Sequence, residues 1–194
     1  MESSGGKLPI ISISQKPIDF GENICVGDIG WSNVNIYKQI LIGAKAAKTE
    51  YVFCCEDDSM YNEEHFAYRP QSNGFCYNLE RWNVSYTFFF HRRMRPGMCM
   101  CVAPTELMVD TLELRLATYP NGPQNMGFGE PGRYEWDLDL PPVEMVKFRT
   151  KIPTLTFHHK PSIGGRRRNL RSDIIVEELA PWGRAEDLWK NVHG

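Results

Sequence analysis

Three consecutive carboxylates, Glu56-Asp57-Asp58, follow directly on the apolar run 51–55 (YVFCC). Hard divalent cations take oxygen ligands, and carboxylates gathered on a tight turn can hold Mg²⁺ or Mn²⁺ while leaving coordination positions for phosphate oxygens. The other reading is a solvated acidic turn. Position speaks for chemistry, because open α/β sheets bind their ligands at the carboxyl ends of strands. Two further groupings could act on a polar substrate. His158-His159 precede a basic stretch with Lys160, Arg166, Arg167, Arg168 and Arg171, and Arg92, Arg93 and Arg95 form a second such stretch. Guanidinium groups bind phosphates, although solvated basic turns have the same composition. Trp82, Tyr86 and Trp136 could stack on a sugar face or an extruded base, or simply pack in a core.

The elements that must position these residues follow from periodicity. Residues 8–14 (LPIISIS) read as a short buried strand ending in a polar turn, and 24–26 as a second. Over 35–48, Ile36, Ile40, Leu41, Ala44 and Ala47 recur at helical spacing. Strand, helix and the buried strand 51–55 make the pattern of a β-α-β unit in a parallel sheet covered on both faces. Further strands are expected at 75–79, 85–90, 98–102 and 146–157. A helix is expected over 105–118 with Thr105 as its cap, and a helical tail over 173–192 broken at Pro181 and Gly183. The segment 120–142 carries four glycines and five prolines. A compact domain keeps so long a stretch mainly for function, which makes it the expected active-site loop, with no evident core to serve.

Composition bounds the class. A chain of 194 residues with 42% hydrophobic and 24% charged residues is long enough for one domain with a sizeable core, and disorder or a disulfide scaffold fits it poorly. A formal charge of −2 provides no overall field toward nucleic acid or anionic membrane, so such binding would need local patches. No apolar run is long enough to span a bilayer and no signal peptide is visible, so a cytoplasmic protein is expected. The six cysteines contain no C-x-x-C pair and read as reduced, mostly buried thiols. The polar leader 1–7 stands apart from the fold, and 8–194 is expected to form a single compact domain.

The run Asn35-x-Tyr37-x-Gln39-Ile40-Leu41-x-Gly43-Ala44, then Ala46-Ala47-Lys48-Thr49-Glu50-Tyr51-Val52, then Glu56-Asp57-Asp58-x-x-Tyr61 and His65-Phe66, resembles the nucleotide-sugar-binding half of GT-A fold glycosyltransferases. The resemblance covers residues 8–66 and returns at His158-His159, Gly164-Gly165 and Arg166. It implies a Rossmann-like α/β fold with a mixed, mostly parallel sheet flanked by helices, residues 8–66 forming the donor half and 67–194 the acceptor half. It further implies that Glu56 and Asp58 fill the places of the family's D-x-D motif and hold Mn²⁺ or Mg²⁺, with His159 completing the metal site and His158 its alternative. Ser12, Ser14, Gln15, Lys16, Asp28, Asp57 and Arg166 would then surround a nucleotide-sugar donor, with UDP the favoured nucleotide. An inverting enzyme needs a carboxylate to take the acceptor proton. Glu130, in Gly129-Glu130-Pro131-Gly132, is the first choice, and Asp137 stands behind it with Glu135 and Asp139 nearby. The acceptor would be a glycan or, as in phage enzymes that modify DNA, a hydroxymethylated base. Two other classes remain: a non-catalytic module binding nucleic acid or a partner on the same fold, and a metal-dependent phosphotransferase or nuclease.

Overall fold

The computed structural model describes residues 8–124, 126–158 and 174–193. In chain order the elements are β1 (Ile11–Ser14), β2 (Glu22–Cys25), α1 (Asn33–Ala46), β3 (Tyr51–Phe53), β4 (Ser59–Met60), α2 (Glu63–Ala67), β5 (Phe75–Asn78), β6 (Arg81–Ser85) and β7 (Phe90–Arg93). A 3-10 turn (Met98–Met100), β8 (Cys101–Pro104), α3 (Thr105–Thr118), β9 (Met145–Phe148), β10 (Thr154–His158), β11 (Ile175–Val176), β12 (Glu178–Leu179), β13 (Gly183–Arg184) and α4 (Ala185–His193) follow. The fold is α/β, and among the described residues it has four helices and several small mixed sheets. This corrects the expectation of one mostly parallel sheet. Among the described residues β1 pairs only with β2, in parallel, whereas β3 flanks β8 in a sheet of order β3-β8-β5-β9, so the strands on either side of α1 do not share a sheet. The chain divides into two compact units, one from the described parts of Met1–Val52 and Ala103–Val143, the other from those of Phe53–Val102 and Glu144–Gly194.

In the first unit α1 packs on β1 and on α3. The helix starts two residues earlier than its apolar spacing suggests, because Ser32 caps it, its side chain accepting the Asn35 N–H at 3.1 Å. Helix α3 spans the expected residues, but Thr105 is its first helical residue and not its cap, with its hydroxyl donating to the Thr49 carbonyl at 2.6 Å. Met108, Leu112 and Arg115 are buried along one side of it.

The second unit holds a sheet of order β11-β7-β6-β10-β4, in which β10 runs parallel to β6 and the other pairings are antiparallel. Period-two alternation gives this sheet an apolar face of Trp82, Val84, Phe90, Leu155 and Phe157. Ala185, Leu188 and Trp189 of α4 close over it, with Val176, Leu179 and Trp182. The expected strand over 85–90 is instead the turn between β6 and β7, where Phe88 takes a φ of 60°. The first expected helical piece of the tail forms β11 and β12, since Ile175 and Val176 extend the sheet through β7.

Candidate functional site

The acidic turn is built by hydrogen bonds to its backbone, leaving its carboxyl groups outward. After β3 the Cys54 N–H donates to the Cys101 carbonyl at 2.9 Å, and the Ser59 N–H closes the turn on the Glu56 carbonyl at 3.3 Å. Tyr61 braces it: its hydroxyl accepts the Glu56 N–H at 3.0 Å and donates to the Cys99 carbonyl at 2.9 Å. The Asp58 carbonyl accepts the Phe157 N–H at 2.7 Å, and the Asp58 carboxylate accepts the Ser59 hydroxyl at 3.2 Å. Asp57 is exposed.

Electrostatics around the turn are mixed. Glu56 keeps an exposed surface, yet the protein crowded around it raises its carboxyl above the usual range, with repulsion from Asp58 adding and the Arg81 guanidinium working against the rise. Burial opposes the charge of Arg81, but the hydrogen bond from its Nη1 to Cys99 Sγ at 2.9 Å and the nearby Glu56 carboxylate favour it and hold the guanidinium protonated. Burial pushes the Cys99 thiol up to about 12, so it stays protonated. Two carboxylates near enough to repel each other fit a divalent cation whose charge relieves that repulsion, and Mg²⁺ commonly takes only one or two carboxylates beside phosphates and water. Among the described residues no group of three or more His, Cys, Asp or Glu converges on one point. His159 and Arg166 lie outside the described residues. His158 ends β10 across from Ser85.

The expected donor residues belong to the first unit, where Ser12, Ser14, Gln15 and Asp28 form a locally tied cluster. Asn23 joins the two serines, its side-chain amide donating to Ser12 Oγ at 3.0 Å and Ser14 Oγ at 2.8 Å. Gln15 accepts the Ile29 N–H at 3.0 Å, and Asp28 accepts the Gly30 N–H at 3.0 Å. Lys16 is exposed, and its carbonyl accepts the Ser14 hydroxyl at 2.7 Å. These bonds hold the β1–β2 connection in shape and occupy much of the polar capacity that a base or ribose would use.

The loop 120–142 does serve a core, contrary to expectation. Phe128 and Leu138 are 0% and 1% exposed, and Phe128 packs edge-on against Tyr37. Glu135 is not a free carboxylate. It is buried against Arg115, which donates to it through Nε at 3.0 Å and through Nη2, and its other oxygen accepts the Gly132 N–H at 2.6 Å. The Arg115 Nη1 also donates to the Gly129 carbonyl at 2.8 Å. Glu130 therefore projects from a clamped turn, with Arg133 3.6 Å from its carboxylate. Asp137 and Asp139 lie exposed in successive turns of the loop, not at a strand start.

Other groupings divide. Trp82 is core, whereas Tyr86 and Trp136 are 55% and 93% exposed. Arg92 stacks over Trp82 and pairs with Glu80 at 2.7 Å, so its charge is spent within the sheet, while Arg95 is exposed. The cysteines are free thiols, with Cys76, Cys99 and Cys101 buried and Cys25 and Cys55 exposed. Sequence reasoning named Tyr61 only within the resemblance and overlooked Arg81 at the turn. The alternation of Arg81, Asn83 and Ser85 with Trp82 and Val84 was the available signal, hidden by placing the strand four residues late. Comparison with the models of known protein families, with curated proteins and with solved structures finds no match to this chain. Among the described residues no helix is long and apolar enough to cross a membrane.

Proposed function

We propose that this protein is a metal-dependent glycosyltransferase of the GT-A kind, moving a sugar from a nucleoside diphosphate, UDP in the first instance, to an acceptor hydroxyl. One observation carries the reading: a turn beginning two residues beyond β3 has Glu56 and Asp58 close enough to repel each other, while Tyr61 and the Phe157 N–H hold its backbone. A bound Mn²⁺ or Mg²⁺ supplies positive charge to the diphosphate oxygens of donor and leaving group. The chain's own residues do the rest. Glu56 and Asp58 hold the ion, and Arg81 keeps a protonated guanidinium beside them. Glu130, on its clamped turn, accepts the proton of the attacking hydroxyl. His159 and Arg166 belong to the same proposal as the closing side of the donor site.

Thermal shift with a panel of nucleotide sugars, with and without Mn²⁺, tests the class, because a ligand that binds only the folded state raises its melting temperature. A rise that needs both donor and metal is expected. No rise with any donor removes the reading.

A further inference from the structure

Arg81 opens β6 in the second unit, and its guanidinium is poorly served by the protein around it. A guanidinium carries five N–H donors and no acceptor. Its Nη1 donates to Cys99 Sγ at 2.9 Å, a weak acceptor, and its Nε is buried without a hydrogen-bond partner. Among the described residues no carboxylate lies within ion-pair distance of it. The other arginines of the sheet differ. Arg92 is paired with Glu80 at 2.7 Å, and Arg93, opposite Arg81 on the β6–β7 ladder, has interactions of its own. An arginine withdrawn from water is seldom left without an oxyanion to meet it.

Its place ties it to the acidic turn. Cys99 joins the two: its Sγ takes Arg81 Nη1, its carbonyl takes the Tyr61 hydroxyl at 2.9 Å, and that hydroxyl accepts the Glu56 N–H at 3.0 Å. Gly97 fixes the group from another side. A Cβ there would come within 2.6 Å of Nη1, so the guanidinium lies against bare backbone, next to the 3-10 turn that the Met100 N–H closes on the Gly97 carbonyl at 2.9 Å. Arg81 is half-buried and Glu56 keeps an exposed surface, so neither residue is sealed off from solvent. Charge then selects the ligand. Glu56 and Asp58 together cancel one divalent cation, and the exposed Asp57 adds a further negative charge, so the turn with its cation has no surplus attraction for a diphosphate. A guanidinium held beside it supplies that surplus, and its fork matches phosphate oxygens in geometry.

We propose that Arg81 binds the phosphate oxygens of a diphosphate beside the cation held by Glu56 and Asp58. That the diphosphate belongs to a nucleotide sugar rests on the glycosyltransferase reading; that Arg81 meets an oxyanion rests on its own surroundings.

Titration calorimetry of the full chain with Mn²⁺ and uridine, UDP or inorganic pyrophosphate tests it, on the wild type, Arg81→Lys and Arg81→Gln. Arg81→Gln is expected to bind UDP and pyrophosphate about ten- to a hundredfold more weakly than the wild type and uridine equally well. Arg81→Lys keeps the charge and loses the fork, so its affinities should fall between. The melting temperature of ligand-free Arg81→Gln should not drop, because a guanidinium without a carboxylate partner is costly to withdraw from water. Equal UDP affinity in all three proteins, or a loss shared by UDP and uridine, overturns the role of Arg81 and leaves the glycosyltransferase reading standing. If the wild type binds pyrophosphate but not UDP, the glycosyltransferase reading falls and pyrophosphate decides: weaker binding by Arg81→Gln supports the proposal, and equal binding overturns it. A wild type that binds neither diphosphate overturns both. Should Arg81→Gln fail to fold, Arg81→Met replaces it.

Discussion

Asp58 serves the acidic turn through two different groups. Its carbonyl anchors the turn on the Phe157 N–H, and its carboxylate accepts the Ser59 hydroxyl and is a ligand of the proposed cation. Asp58→Ala removes only the second, so calorimetry with UDP and Mn²⁺ should show binding lost while the melting temperature stays close to wild type. The two loop glutamates separate in the opposite way. Glu130→Gln should keep the fold and donor affinity while lowering transfer about 10²- to 10⁴-fold, because the amide cannot take a proton. Glu135→Gln leaves Arg115, 1% exposed, facing a neutral group. Chemical denaturation should show a loss of about 3–5 kcal/mol, as for other broken buried pairs. Position 135 is thus a stability residue, and Asp137→Asn, on an exposed turn, is the better control for loss of a carboxylate. His65 is fully buried among Tyr61, Phe53 and Phe66, and burial lowers its imidazole to about 4. The unfolded chain binds this proton from about pH 6.5 downward while the folded one refuses it until about pH 4. Stability should therefore fall by about 3 kcal/mol as pH drops through that window, and be insensitive to this group above it. Urea midpoints of wild type and His65→Phe across pH 4–7 measure the difference.

At the scale of elements, the loop 120–142 is held by contacts and not by secondary structure. Gly129 sits at φ +61°, and a Cβ there would enter the Tyr134 ring, while its carbonyl is held by both Tyr37 and Arg115. Gly129→Ala should therefore destabilise by about 1–3 kcal/mol, through the left-handed backbone and the displaced ring, and should disturb the neighbouring Glu130. A drop in transfer exceeding the drop in melting temperature would identify the turn's geometry as the functional quantity. Helix α1 depends on a simpler device. Ser32→Ala removes the side-chain bond to Asn35 and should cost about 1 kcal/mol with no effect on ligand affinity.

At the scale of the whole molecule, protection should follow burial within each unit. Strands β5, β6 and β10 are buried along almost their whole length, whereas β1 and β2 form a two-stranded parallel sheet of half-buried and exposed residues. Hydrogen exchange should find the amides of the first set exchanging by the largest openings and those of β1–β2 among the fastest paired amides. Apolar closure by α4 predicts that Trp189→Ala lowers protection in β6 and β10 before it affects α1.

What the sequence alone determined is what depends on neighbours in the chain. Ile40, Ala44 and Ala47 repeat at helical spacing, so α1 was legible, and α3 was found residue for residue. The acids after β3 were legible too, because strand and turn are contiguous. Only tertiary structure decided which strands pair, since a short apolar run has no mark for parallel or antiparallel partners; hence the one mixed, mostly parallel sheet became several small ones. It also decided the roles of identical carboxylates. Glu135 and Glu130 lie five residues apart in the same loop, and nothing local tells them apart; Arg115, twenty residues back on α3, buries one and leaves the other to Arg133 at the surface. The polar sheet face is the same case, for Asn83, His91 and Thr156 meet only through strand register.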